Sequence, residues 1–77
     1  MPTTLEKEAL LSVAKVVEIT SSSTKSFEDA IQSGVARASK TLEGIRGIRV
    51  MDQKAVVRDG KITEFRVDMK VTFILMD

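Results

Sequence analysis

The sequence predicts an α+β domain of order β-α-β-β, in which one helix covers one face of a three-stranded sheet. Three observations carry this. From Ile62 to Met76, Phe65, Val67, Met69, Val71, Phe73 and Leu75 point one way, while Glu64, Arg66, Asp68, Lys70 and Thr72 point the other. Such period-two alternation marks a half-buried strand. From Phe27 to Leu42 the apolar residues recur instead at spacings of three and four, the pattern of an amphipathic helix. Between them and the chain's last strand, Asp59-Gly60 supplies the positive φ angles of a type I′ hairpin turn, which makes the second and third strands antiparallel neighbours.

In chain order, residues 1–11 read as a frayed N-terminal extension ahead of a single domain over 12–77. Ser12 to Thr20 alternates Val13, Lys15, Val17 and Ile19 against Ala14, Val16 and Glu18, a β-branched strand. Ser21-Ser22-Ser23-Thr24-Lys25 reads as a polar loop. Ser26 is a good N-cap, with Glu28 and Asp29 in the first turn where the helix dipole favours acids, and Asp29 at the capping-box position. Phe27, Ile31, Val35, Ala38 and Leu42 form the apolar stripe, which Ala30 and Gly34 widen. A glycine inside a helix costs up to about 1 kcal/mol relative to alanine. Gly34 therefore predicts a close approach of helix to sheet, the alternative being weakly selected drift. Gly44 is the expected C-cap. Ile45 to Arg58 is a second strand of poorer alternation, in which Gly47 signals a bulge or an open patch.

The last strand is too long for a monomer. At roughly 3.4 Å per residue, Ile62 to Met76 would span about 50 Å. A chain of this length, folded compactly, has a radius of gyration of only about 11–12 Å. One helix covers one face of three strands and leaves the other face and both edges open, which invites pairing with further copies. The 77 residues include no Cys and no His. Disulfides, thiolate metal sites and imidazole ligands are thereby excluded as supports for a small core. Oligomerisation is the remaining route.

Composition excludes several functions. A net charge of +1, no Trp or Tyr and three Phe argue against a nucleic-acid surface or a base-stacking platform. The apolar run Ala9–Val17 is broken by Ser12 and Lys15, too short and polar to span a membrane, and no secretory leader precedes it. A cytoplasmic protein is expected. No nucleophile-elbow, phosphate-loop or dinucleotide motif occurs, and Ser21–Ser23 have no base to activate them, so the chain is not expected to be an enzyme. Two groups of side chains remain. Glu18, Asp52, Glu64 and Asp68 could meet across strands and offer oxygens to calcium or magnesium, or simply pair with Lys15, Arg49 and Lys70. Arg46, Arg49 and Arg66 could grip an anion if they converge, or remain solvated.

A family resemblance sharpens this. Val16-Val17-Glu18-Ile19-Thr20, the serine-rich segment, and Ser26-Phe27-Glu28-Asp29-Ala30-Ile31 resemble the opening of the dodecins. Ala36–Leu42 at the end of the helix, and Asp59–Ile62 followed by Phe65–Phe73, resemble their later parts. The similarity runs from about Val13 to Leu75. It implies a three-stranded antiparallel sheet wrapped around the one helix, and a hollow homododecamer that binds FMN, riboflavin or related flavins between twofold-related subunits without catalysing a reaction, with coenzyme A or a metal ion in some members. The family's flavin-stacking Trp falls by spacing on Gly47, and the Gln that pairs with the ring's pyrimidine edge falls on Arg66. Both signature residues are absent, so the resemblance implies weak or absent flavin binding. The stretch Ile45–Gln53 looks closer to the Trp-less calcium-dodecin branch, while Val50-Met51-Asp52-Gln53 is also similar to flavin binders. The expected ligand-binding residues are Arg46, Gly47, Asp52, Gln53 and Arg66, with no metal ligand assigned. The alternative is a structural shell, or an ion-, nucleotide- or coenzyme A-binding variant with a vestigial flavin pocket.

Overall fold

A computed structural model describes residues 13–75, which form strand β1 (Ala14–Ser23), helix α1 (Phe27–Ala38), strand β2 (Ile45–Arg58) and strand β3 (Lys61–Ile74). The proposed extension over residues 1–11 and the end of the last strand at Met76 lie outside the described residues. The sheet order is β1-β3-β2, antiparallel throughout, so the long alternating strand sits in the centre and both of its neighbours are edges. The helix packs over β1 and β3 and leaves β2 nearly uncovered. At about 1.5 Å per residue α1 reaches only about 18 Å, against about 48 Å for β3. The β2–β3 hairpin therefore overhangs the core. The molecule measures 60 × 22 × 15 Å with a radius of gyration of 16.0 Å, far from the compact value its length allows.

Why the core sits where it does follows from the alternation. Val67, Met69 and Val71 are fully buried, and Ala30 on the helix faces them, with Ile19, Phe27, Ile31 and Ile48 packed around. Phe27 meets Phe65 edge to face at 5.0 Å. The centre of the helix stripe is the small row Ala30, Gly34 and Ala38; Val35 and Leu42, expected there, are only half-buried at its margin. A Cβ on Gly34 would lie 2.6 Å from Met69 Cε and 2.9 Å from Ser21 Cβ, so the helix–sheet approach expected at this glycine exists. Among the described residues, no helix is long and apolar enough to cross a membrane.

Two boundaries differ from the sequence reading. Ser21, Ser22 and Ser23 belong to β1, opposite Val67, Arg66 and Phe65, because pairing to the central strand overrides the poor strand preference of serine. Ser23 Oγ then joins strand to helix. It donates to Asp29 Oδ2 at 2.6 Å and accepts the Lys25 and Ser26 amides at 2.9 and 3.4 Å. Ser26 caps as expected, its Oγ accepting the Asp29 amide, but the Asp29 carboxylate turns to Ser23 instead of closing a capping box. The helix ends at Ala38 and not near Gly44. Ser39 caps it, and Lys40, Thr41 and Leu42 donate back to Arg37 and Ala38 in a tightening turn. Gly44, at φ 74°, serves the entry to β2, where its carbonyl accepts the Ile74 amide. Asp59 and Gly60, at φ 51° and 75°, make the expected hairpin turn.

Candidate functional site

Register decides which side chains can act together. Cross-strand partners share a face. Opposite the helix, β2 and β3 therefore present Gly47 with Thr72, Arg49 with Lys70, Asp52 with Asp68, Lys54 with Arg66, and Val56 with Glu64. On the far side of β3, β1 adds Val16, Glu18, Thr20 and Ser22 to the same face. Among the described residues, no element covers this outer sheet face.

Two zones divide it. Toward the hairpin the charges neutralise one another. Asp52 and Asp68 are direct partners, like charges that would repel. Lys54 Nζ stands between them, 3.5 Å from Asp68 Oδ2 and 4.0 Å from Asp52 Oδ2, while Thr20 Oγ1 donates to Asp68 Oδ1 at 2.9 Å. Arg66 donates to Glu64 at 3.3 Å. That bond, helped by one from Ser22, holds the Glu64 carboxyl below its ordinary 4.5 against a small opposing effect of burial. At the other end lie Gly47, Thr72, Arg49 and Lys70. A Cβ on Gly47 would meet nothing within 4 Å, so the open patch anticipated at this glycine is present, next to the register shift at Arg46 that forms a bulge.

The residues nominated from sequence are thus not one cluster. Gly47 and Arg66 share the outer face but stand six positions apart along β3 (Arg66 to Thr72), roughly 20 Å. Arg46 sits in the bulge without a cross-strand partner. Asp52 faces outward, whereas Gln53 pairs with Val67 on the helix side. Arg46, Arg49 and Arg66 do not converge within the chain. The four carboxylates do not gather either. Only Asp52 and Asp68 meet, their partner is Lys54 rather than Lys15, Arg49 or Lys70, and Glu64 is taken by Arg66. Among the described residues no three acidic groups are placed to hold a metal ion.

Sequence reasoning missed two features. Lys54 was outside every nominated group, although its position two residues after Asp52 on one strand face was visible. A hollow of about 400 Å³ between α1 and the free edge of β1, bounded by Ile19, Ser21, Gly34, Arg37, Ala38 and Leu42, had no signal.

The family model described as Dodecin matches residues 13–76. The calcium dodecin of Mycobacterium tuberculosis is 41% identical over 64 residues, covering 82% of this chain and 89% of that protein. Among solved structures, the dodecin from Streptomyces davaonensis superposes with a TM-score of 0.84 at 31% identity, covering 87% of this chain and 98% of its own. The crystal structure of the M. tuberculosis calcium dodecin, described as calcium chelating with a novel calcium-binding site, superposes with a TM-score of 0.74 at 36% identity, covering 84% and 93%.

Proposed function

This chain belongs to the dodecin family, and from that premise we propose that it is a non-catalytic, cytoplasmic small-ligand carrier or buffer that works as a hollow homododecamer, with flavin affinity weakened or lost. The observation that carries this is the uncovered outer sheet face with its gap at Gly47. In the resemblance, an aromatic ring at that position stacks on the ligand and a Gln at the position of Arg66 pairs with its edge. With those two positions roughly 20 Å apart in one chain, a single ligand can touch both only when two chains supply them. On this reading Arg46, Gly47, Asp52 and Arg66 act across subunits, while Gln53, on the helix side, stands apart from them.

Further support for assembly comes from the apolar surface. Val57 and Ile62, partners at the overhanging hairpin, are 60% and 56% exposed, and Val16, Met51 and Leu75 are exposed as well. Weak flavin affinity follows from chemistry. A missing stacking partner removes about 1–3 kcal/mol, by analogy with bases on aromatic side chains. Arg66 donates but cannot accept, and its guanidinium is already bonded to Glu64. With neither His nor Cys, the chain lacks the usual general base and thiol nucleophile.

A second reading is a shell that holds a divalent cation, and one observation favours it: Asp52 faces Asp68 in a relative of a calcium dodecin. The Lys54 ammonium between those carboxylates already supplies one of their two counter-charges and occupies the space between them, which ranks this reading second.

Light scattering with riboflavin titration and mass spectrometry of released small molecules tests the proposal. About twelve chain masses, little flavin quenching and a recovered non-flavin ligand are expected. A single-chain mass with cooperative melting overturns the assembly, and micromolar riboflavin binding overturns the loss of flavin affinity.

A further inference from the structure

We propose that the ligand is an organic phosphate whose phosphoryl group is held by Arg49 and Lys70, beside the Gly47 gap, rather than by Arg46 and Arg66; this rests on the ligand-binding reading above. Arg49 and Lys70 are direct cross-strand partners on the outer face. Like charges in that position have Cβ atoms only about 4.5–5.5 Å apart and destabilise the sheet unless a counter-charge is present. Carboxylates on the same face are spoken for or outnumbered. Lys54 takes Asp52 and Asp68, and Arg66 takes Glu64; among the described residues no ion pair includes Arg49 or Lys70. Glu18 stands opposite Lys70 on the β1 side and faces two cations alone.

The neighbouring row is Gly47 and Thr72, two positions along each strand, or about 7 Å. It offers open floor and a hydroxyl. A phosphoryl group bridging Arg49 and Lys70 would receive a planar guanidinium fork and an ammonium, the pairing best suited to a doubly charged oxyanion. Its organic part would then lie over Gly47, where no side chain intrudes. A carboxylate would compensate only one of the two cations. Arg66 lies four positions away along β3 (Arg66 to Lys70), roughly 13 Å, and is engaged by Glu64. Arg46, in the bulge, has no cross-strand partner holding it on this face.

The test is calorimetric titration of the purified full chain with inorganic pyrophosphate at fixed ionic strength, for wild type, Arg49→Gln, Lys70→Gln and Arg58→Gln. Wild type and Arg58→Gln bind saturably and alike; Arg49→Gln and Lys70→Gln each weaken binding by about tenfold or more, the loss of one charge-assisted contact. Light scattering of the two weakened variants matches wild type and neither melts lower than it, since each removes a repulsive partner. Equal affinity in all four proteins, or equal weakening by Arg58→Gln, reduces the effect to net charge and overturns the proposal. No saturable heat in wild type overturns it too. If mass spectrometry of that same protein still recovers a small molecule without phosphate, the carrier reading survives and only the phosphate site falls.

Discussion

Replacing Gly34 by alanine sets two known effects against each other. On propensity alone the substitution stabilises a helix by up to about 1 kcal/mol. The structure opposes it. The new methyl would stand 2.6 Å from Met69 Cε, 2.9 Å from Ser21 Cβ and 3.1 Å from Ser21 Oγ. Met69 Cε is the end of a flexible side chain and can swing aside, although Met69 is fully buried and has little room. Ser21 Cβ cannot, because it is fixed to β1, whose backbone is paired to β3 at Val67. The helix must therefore lift or the strand must yield, and overpacking of this kind costs about 1–3 kcal/mol. The net expectation is a loss of about 1 kcal/mol or somewhat more, a fall in Tm of about 4–8 °C for each kcal/mol in a domain of this size. Melting at one fixed protein concentration measures it, because the Tm of an oligomer depends on concentration. Ser21→Gly with Gly34→Ala, which removes the immovable atom, recovers part of the loss relative to Ser21→Gly alone. A single alanine variant as stable as wild type, or more so, refutes the close-approach argument.

Gly47→Trp with Arg66→Gln restores the missing stacking ring and two-way hydrogen bonder. Riboflavin affinity, read by fluorescence quenching, rises by the factor of roughly 5–150 that about 1–3 kcal/mol of stacking supplies; no gain means the positions were misassigned. Ser23→Ala strips the buried hydroxyl that serves Asp29 and two amides. Denaturant titration shows a loss of about 1–3 kcal/mol, from two or three part-buried hydrogen bonds at about 0.5–1.5 kcal/mol each. Glu64 titrates below 4.5 chiefly because of Arg66. Its contribution to folding is present above the unfolded value and disappears as pH falls through the lowered folded value. In Arg66→Met, carboxyl NMR titration finds the Glu64 midpoint moved up toward 4.5, and an unmoved midpoint removes Arg66 as the main cause.

Local patterns were enough to identify every element. Alternation from Phe65 to Phe73 gave the buried face of β3, the Ser26 hydroxyl marked the start of α1, and Asp59-Gly60 marked the hairpin, because each is a property of neighbouring residues and their own φ angles. The excess length of the last strand over a small core was also visible, and the structure shows it as an elongated molecule with an overhanging hairpin. What a one-dimensional reading could not supply was register. Which side chain stands across from which depends on strand order β1-β3-β2 and on the bulges near Arg46 and Met51, and a one-residue slip exchanges the faces. Tertiary pairing therefore drew Ser21–Ser23 into a strand, put Lys54 between Asp52 and Asp68, sent Gln53 to the helix side and separated Gly47 from Arg66. Through-space distance, unlike hydrophobic period, is set by the whole sheet at once.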